Sequence, residues 1–176
     1  MIPLPDKKPR EPIGIIEGIE DFLRRVELTE EDFRGRIGGT KGAHRKITER
    51  TLIKWRETRG FGLAKMPFAP RGGTYGIDVV GRDYERGKIL MSVEVDTWHR
   101  PYGSWMKLLD IRSDNKIWIY VTNHPEQKAK ANFEESIGEI KGLISAREED
   151  KSTLGNFVAF LKTPATFKKE IINLMP

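Results

Sequence analysis

Three carboxylates stand inside apolar, strand-like sequence, where a charge is costly unless it is paired or metal-bound. Asp78 lies in Tyr-Gly-Ile-Asp-Val-Val-Gly, and Glu94 and Asp96 lie in Leu-Met-Ser-Val-Glu-Val-Asp-Thr. Side chains alternate along a strand, so Glu94 and Asp96 share one face, about 7 Å apart. Ile89, Met91, Val93 and Val95 fill the other. The polar loop from Gly81 to Gly87 would close a hairpin and put Asp78 on the neighbouring strand. A bulge or an offset is then needed to bring Asp78 level with Glu94. Such a cluster makes a hard-oxygen site suited to Mg²⁺ or Mn²⁺. An ion of this kind activates water and neutralises phosphate.

The segment that follows, Thr97-Trp-His-Arg-Pro-Tyr-Gly-Ser-Trp105, is dense in aromatic and polar groups. Trp98 or Tyr102 could stack on a base, and Arg100 could bind a phosphate. His99 is a candidate proton carrier near neutral pH. Trp105 and Trp118 read instead as core. His44 and His124 have no partners at zinc-ligand spacing. There is no cysteine, so disulfides, thiolate metal sites and a cysteine nucleophile are excluded. No phosphate-cradling glycine loop and no nucleophile elbow is present.

The net charge of the 176-residue chain is only +5, but it is unevenly spread. Between Phe33 and Gly60 there are nine basic residues (Arg34, Arg36, Lys41, Arg45, Lys46, Arg50, Lys54, Arg56, Arg59) against Glu49 and Glu57. The stretch Glu17 to Asp32 is acidic. A basic block of this density suits phosphate contact, because each neutralised phosphate releases counterions. A solvated helix face with local ion pairs is the competing reading.

These groups need a scaffold. Residues 1–12 read as a Pro-rich extended arm. Ile13 to Val26 and Ala43 to Arg59 carry helical spacing, separated by Thr29-Glu-Glu-Asp32 and a Gly-rich basic loop. Strands are expected over Phe61–Phe68, Thr74–Val80 and Lys88–Thr97. A short helix should follow over Pro101–Ile111, then a buried strand over Lys116–Thr122. A long helix over Gln127–Glu149, a strand over Asn156–Leu161 and a terminal helix over Pro164–Leu174 complete the order. The chain therefore reads as α/β, with a central mixed sheet flanked by helices. Residues 1–42 form an N-terminal arm with a short helix and basic loop, and 43–176 the α/β domain. No apolar run is long enough to span a membrane, and the polar N-terminus lacks a secretory signal. A cytoplasmic protein is expected.

An αβββαβ order with a lone Asp in the second core strand and Glu-X-(Lys) in the third resembles the PD-(D/E)XK, or restriction-endonuclease-like, nuclease superfamily. The residues that carry the resemblance are Asp78, fifteen intervening positions, then Glu94-Val95-Asp96, followed by the amphipathic helix around Ser104–Asp110. The resemblance covers residues 43–125 and extends towards 162. It implies a metal held by Asp78, Glu94 and the Val95 carbonyl, with Glu49 of the first core helix as a further ligand. This chain departs from the pattern by placing Asp96 where the lysine stands. Asp96 is then an additional metal ligand or water positioner, or a strand-end cap. Lys107 from the next helix is the residue expected to replace the missing lysine.

The resulting expectation is a metal-dependent nuclease using Mg²⁺ or Mn²⁺ on nucleic acid, with double-stranded DNA favoured by the resemblance alone. Asp78, Glu94, Asp96 and Lys107 would form its catalytic set. Arg34, Arg36, Lys41, Arg45, Lys46, Arg50, Trp98, His99 and Arg100 would contact the nucleic acid. The alternative is a catalytically inactive nucleic-acid-binding protein with a nuclease-like fold. A structural protein with a merely solvated basic stretch comes third, and homodimerisation stays open.

Overall fold

The computed structural model describes residues 14–34, 41–59, 67–68, 75–83, 86–147 and 154–173, with α2 side chains described over 42–51. The arm over 1–12, the strand expected before residue 67, and Arg36 lie outside the described residues, as do the side chains of Lys41, Lys54, Arg56 and Arg59.

The elements, in order, are α1 (Ile15–Arg25), α2 (Lys41–Arg59), β1 (Pro67–Phe68), β2 (Tyr75–Gly76), β3 (Val79–Asp83), β4 (Lys88–Asp96), α3 (Tyr102–Asp110), β5 (Asn115–Val121), α4 (Glu126–Ser145), β6 (Asn156–Lys162) and β7 (Phe167–Asn173). A 3₁₀ turn, Glu30–Phe33, links α1 to α2. The main sheet has the order β3-β4-β5-β6-β7. β4, β5 and β6 run parallel, and β3 and β7 close the edges antiparallel. The architecture is α/β, a five-stranded mixed sheet with helices on both faces.

Alternation along the strands sorts the core into two layers. Met91, Val93, Val95, Ile117, Ile119, Val158 and Phe160 pack against α1 and α2. Trp118, Tyr120, Phe157, Ala159 and Leu161 pack against α3 and α4. Both crossover helices lie on one face, as same-handed connections along one direction of the sheet require. Ile19, Leu23, Val26 and Leu28 belong to the first layer, so the described part of the N-terminal arm is built into the domain. The acidic turn is fastened to α2 by Lys46, whose Nζ lies 3.0 Å from Asp32 Oδ2. At Gly42 a Cβ would come within 2.6 Å of the Asp32 carbonyl, which keeps that position to glycine.

The C-terminal segment is a strand and not a helix. Thr163 Oγ1 accepts from the Thr166 amide at 2.7 Å and turns the chain directly back along β6. The period-two pattern then decides the faces. Lys169 pairs with Glu20 of α1 at 2.6 Å, while Lys168 and Glu170 pair with Glu134 and Lys141 of α4. Edge donors and acceptors of β6 favour a strand there, an influence that helical spacing within 164–174 does not reveal.

Candidate active site

The site sits at the carboxyl end of β4, where open α/β sheets form their ligand crevices. Its geometry begins with a bulge. The β3–β4 register shifts between Gly81 and Arg82, so that Val79 pairs with Val93. One step further, Asp78 stands level with Glu94. Without the shift it would face Val93. The ladder stops there, and the Val95 amide donates instead to Asp78 Oδ2 at 2.9 Å. The N–H and C=O of one strand residue point to the same side, so the Val95 carbonyl also faces the Asp78 edge.

α3 lies over the other side of β4 and supplies Lys107. Its Nζ lies 2.7 Å from Glu94 Oε2 and donates to the Gly76 carbonyl at 3.1 Å. The Glu94 side chain is only 3% exposed. Its second oxygen, Oε1, is buried with no hydrogen-bond partner among the described residues. Burial and the nearby Asp78 charge push the Glu94 carboxyl up to about 7, against the pull of Lys107.

Helix α2 supplies a residue that the sequence reading set aside. His44 Nε2 lies 3.0 Å from Asp78 Oδ2. That hydrogen bond is the main reason the imidazole titrates above its ordinary value, against the effect of burial. Burial raises the Asp78 carboxyl, but the His44 bond and charge, the Val95 amide and Lys107 together hold it below its ordinary value. A signal for His44 was available. It precedes Ile47 and Thr51 by three and seven residues, on the buried face of α2. A polar residue on such a face must find a partner.

Asp96 is placed differently from the ligand role expected of it. Ser104 Oγ donates to Oδ1 and Trp118 Nε1 to Oδ2, each at 3.0 Å. Both oxygens are thus occupied by the packing of α3 on β5. Burial still pushes this carboxyl up to about 6. Asp96 joins the sheet to α3, and the strand-end reading fits it better than a third ligand. Glu49 also leaves the site. It follows His44 by five residues, about 140° around the helix, and pairs with Arg45 at 2.5 Å on the exposed side. His44 takes the place on α2 that the resemblance would give to Glu49.

The basic and aromatic residues divide similarly. Arg34 and Arg50 are exposed. Arg45 is paired with Glu49, and Lys46 with Asp32. Trp98 and His99 are exposed beside the site. Arg100 is instead held by α4, by Glu135 and, at 2.7 Å, by Glu139.

No family model, curated protein or solved structure matches this chain.

The oxygen donors suit a hard divalent cation: two carboxylates and a strand carbonyl. The unpartnered Glu94 Oε1 is the observation in favour. Against it, no three His, Cys, Asp or Glu side chains converge as a metal-holding group among the described residues. The cation present beside Glu94 is the Lys107 ammonium. No helix among the described residues is long and apolar enough to cross a membrane.

Proposed function

We propose that this chain is a divergent, metal-dependent nuclease of the PD-(D/E)XK superfamily that hydrolyses phosphodiester bonds in nucleic acid, with DNA as the expected substrate. The observation that carries the reading is the Lys107–Glu94 contact beside Asp78. A lysine from α3 stands at the acidic pair although the usual strand position holds Asp96. The element order supports it as well. Counting β2 and β3 as one strand bent at Asp78, the run from α2 to β5 reads αβββαβ.

In this reading Asp78, Glu94 and the Val95 carbonyl hold Mg²⁺ or Mn²⁺, with His44 beside Asp78. The ion, when bound, supplies Lewis-acid neutralisation of the phosphate and lowers the pKa of water. Lys107 orients Glu94 and fixes a positive charge where phosphate charge develops. His44 carries a proton near neutral pH, its basicity maintained by Asp78. Arg34 and Arg50 supply exposed positive charge for the phosphate backbone. The test is incubation of plasmid and single-stranded DNA with Mg²⁺ or Mn²⁺, comparing the wild type with Asp78→Asn and Glu94→Gln. Cleavage should disappear in both variants, and cleavage that survives either one overturns the assignment.

A second reading, a binding protein without catalysis, is favoured by one feature. Each key carboxylate already has a cationic or titratable partner, Lys107 for Glu94 and His44 for Asp78. It predicts salt-dependent nucleic-acid binding with no metal-dependent cleavage.

A further inference from the structure

Among the described residues four large apolar side chains are exposed, and three of them gather in one place, Ile171 on β7 being the fourth. Trp98 is 75% exposed, Tyr102 50% and Met106 40%, whereas Trp105 and Trp118 are fully buried. Trp98 follows Asp96 by two residues, and Tyr102 opens the helix that carries Lys107. Tyr102 and Met106 are one turn apart on α3 and share a face. The corner is held in shape. Arg100 adopts φ 64°, which is costly for a residue with a side chain. Glu135 and Glu139 of α4 clasp its guanidinium, and Glu139 also hydrogen-bonds Tyr102. The Tyr102 ring meets Trp105 edge-on at 5.1 Å, and Trp105 meets Trp118 at 5.5 Å. Tyr102 is therefore tied to the buried aromatics and does not have to be ordered by a ligand.

We infer that the Trp98–Met106 corner is a stacking platform for unpaired nucleotides, so that the strand entering the proposed nuclease site is single-stranded there. This rests on the nucleic-acid reading above and names its substrate class. An unpaired base offers its π-face to an exposed indole, whereas a base inside a duplex offers only its edges. Basic side chains border the corner. His99 follows Trp98, and it and Lys128 lie close enough to His124 to act on it electrostatically, while Arg100 offsets one of the two α4 carboxylates that hold it.

The experiment measures binding and cleavage separately. Labelled oligothymidylate of about sixteen nucleotides and a blunt duplex of equal length are titrated with the full chain in EDTA, followed by fluorescence anisotropy. Trp98→Ala should weaken single-strand binding by about 5- to 150-fold, leave duplex binding unchanged and leave the melting temperature unchanged. Trp98→Phe should restore most of the affinity. Unaltered single-strand binding in Trp98→Ala, or an equal loss on both probes, overturns the platform. Cleavage with Mg²⁺ alongside unaltered binding would remove the platform and keep the nuclease. Trp98-dependent binding with no cleavage would keep the platform and remove the nuclease.

Discussion

Lys107 Nζ stands 2.7 Å from Glu94 Oε2, thirteen positions away in sequence and on a different element. The contact places a positive charge beside a carboxylate that is otherwise enclosed by protein. Removing one partner of a buried ion pair costs about 3–5 kcal/mol when the other charge is left uncompensated. Glu94 has an alternative, because it can take up a proton.

That alternative sets a pH-dependent outcome. The Glu94 carboxyl is raised from 4.5 to about 7, so between these values the folded chain holds a proton that the unfolded chain has released. Stability therefore falls as pH rises through this window. Lys107→Met removes the group that favours the charged form. At pH 8 the variant should lose about 3 kcal/mol, and near pH 5, with Glu94 protonated, about 1 kcal/mol or less. Thermal unfolding at the two pH values checks this. An equal loss at both would show that Glu94 is not the titrating group.

Asp78→Asn should act on two readouts. Cleavage should fall by more than about 100-fold, since even residues behind metal ligands cost 10–100-fold. The His44 titration, followed by proton NMR of its ring, should move down, because the Asp78 hydrogen bond is the largest cause of its raised pKa. The sign of the linkage differs for the two partners. Asp78, held low, contributes stability above its ordinary 3.8 that is lost as pH falls. His44, held high, contributes stability below 6.5 that is lost as pH rises through its raised value. The pair is thus worth most between those ordinary values. A His44 titration that does not move would contradict the contact.

Asp96→Asn distinguishes a structural carboxylate from a metal ligand. An asparagine can accept from Trp118 Nε1 and donate to the Ser104 hydroxyl, so both contacts survive. It also removes a carboxyl whose ionised form is disfavoured by burial. Stability at pH 8 should stay within about 1 kcal/mol of the wild type or rise, with unchanged Mn²⁺ affinity by calorimetry. Asp96→Ala should lose about 2 kcal/mol, because Trp118 Nε1 and Ser104 lose their acceptor. Weakened Mn²⁺ binding in Asp96→Asn would restore the third-ligand role.

The surface cations should separate by salt dependence. Arg34→Ala and Arg50→Ala should each lower the slope of log affinity against log salt by about one. Arg100→Ala should leave that slope unchanged, since its charge is engaged by Glu135 and Glu139. Measuring DNA affinity across a salt series checks all three, and a reduced slope in Arg100→Ala would return that residue to the phosphate path.

Much of the scaffold was legible in the chain. The period-two pattern of Ile89–Asp96, the uninterrupted apolar run of Ile117–Val121, and the helical spacing around Phe133, Ile137 and Ile140 are local signals written by burial. They located β4, β5, α3 and α4 to within a few residues. The helix expected over 127–149 ends at Ser145. The segment after Pro164 became β7 because its pairing partner, β6, is tertiary and invisible to local spacing.

Of the site, the sequence by itself determined the costly carboxylates Asp78, Glu94 and Asp96 and marked Lys107 as the candidate cation. Tertiary structure alone decided how they are placed and partnered. The bulge at Gly81 brought Asp78 level with Glu94, and α2 delivered His44 from 34 positions away. Ser104 and Trp118 occupied Asp96, and α4 claimed Arg100. The physical reason is the range of each effect. Burial imprints a periodicity on neighbouring residues, whereas a hydrogen bond or an ion pair depends on register and packing between elements that are distant along the chain.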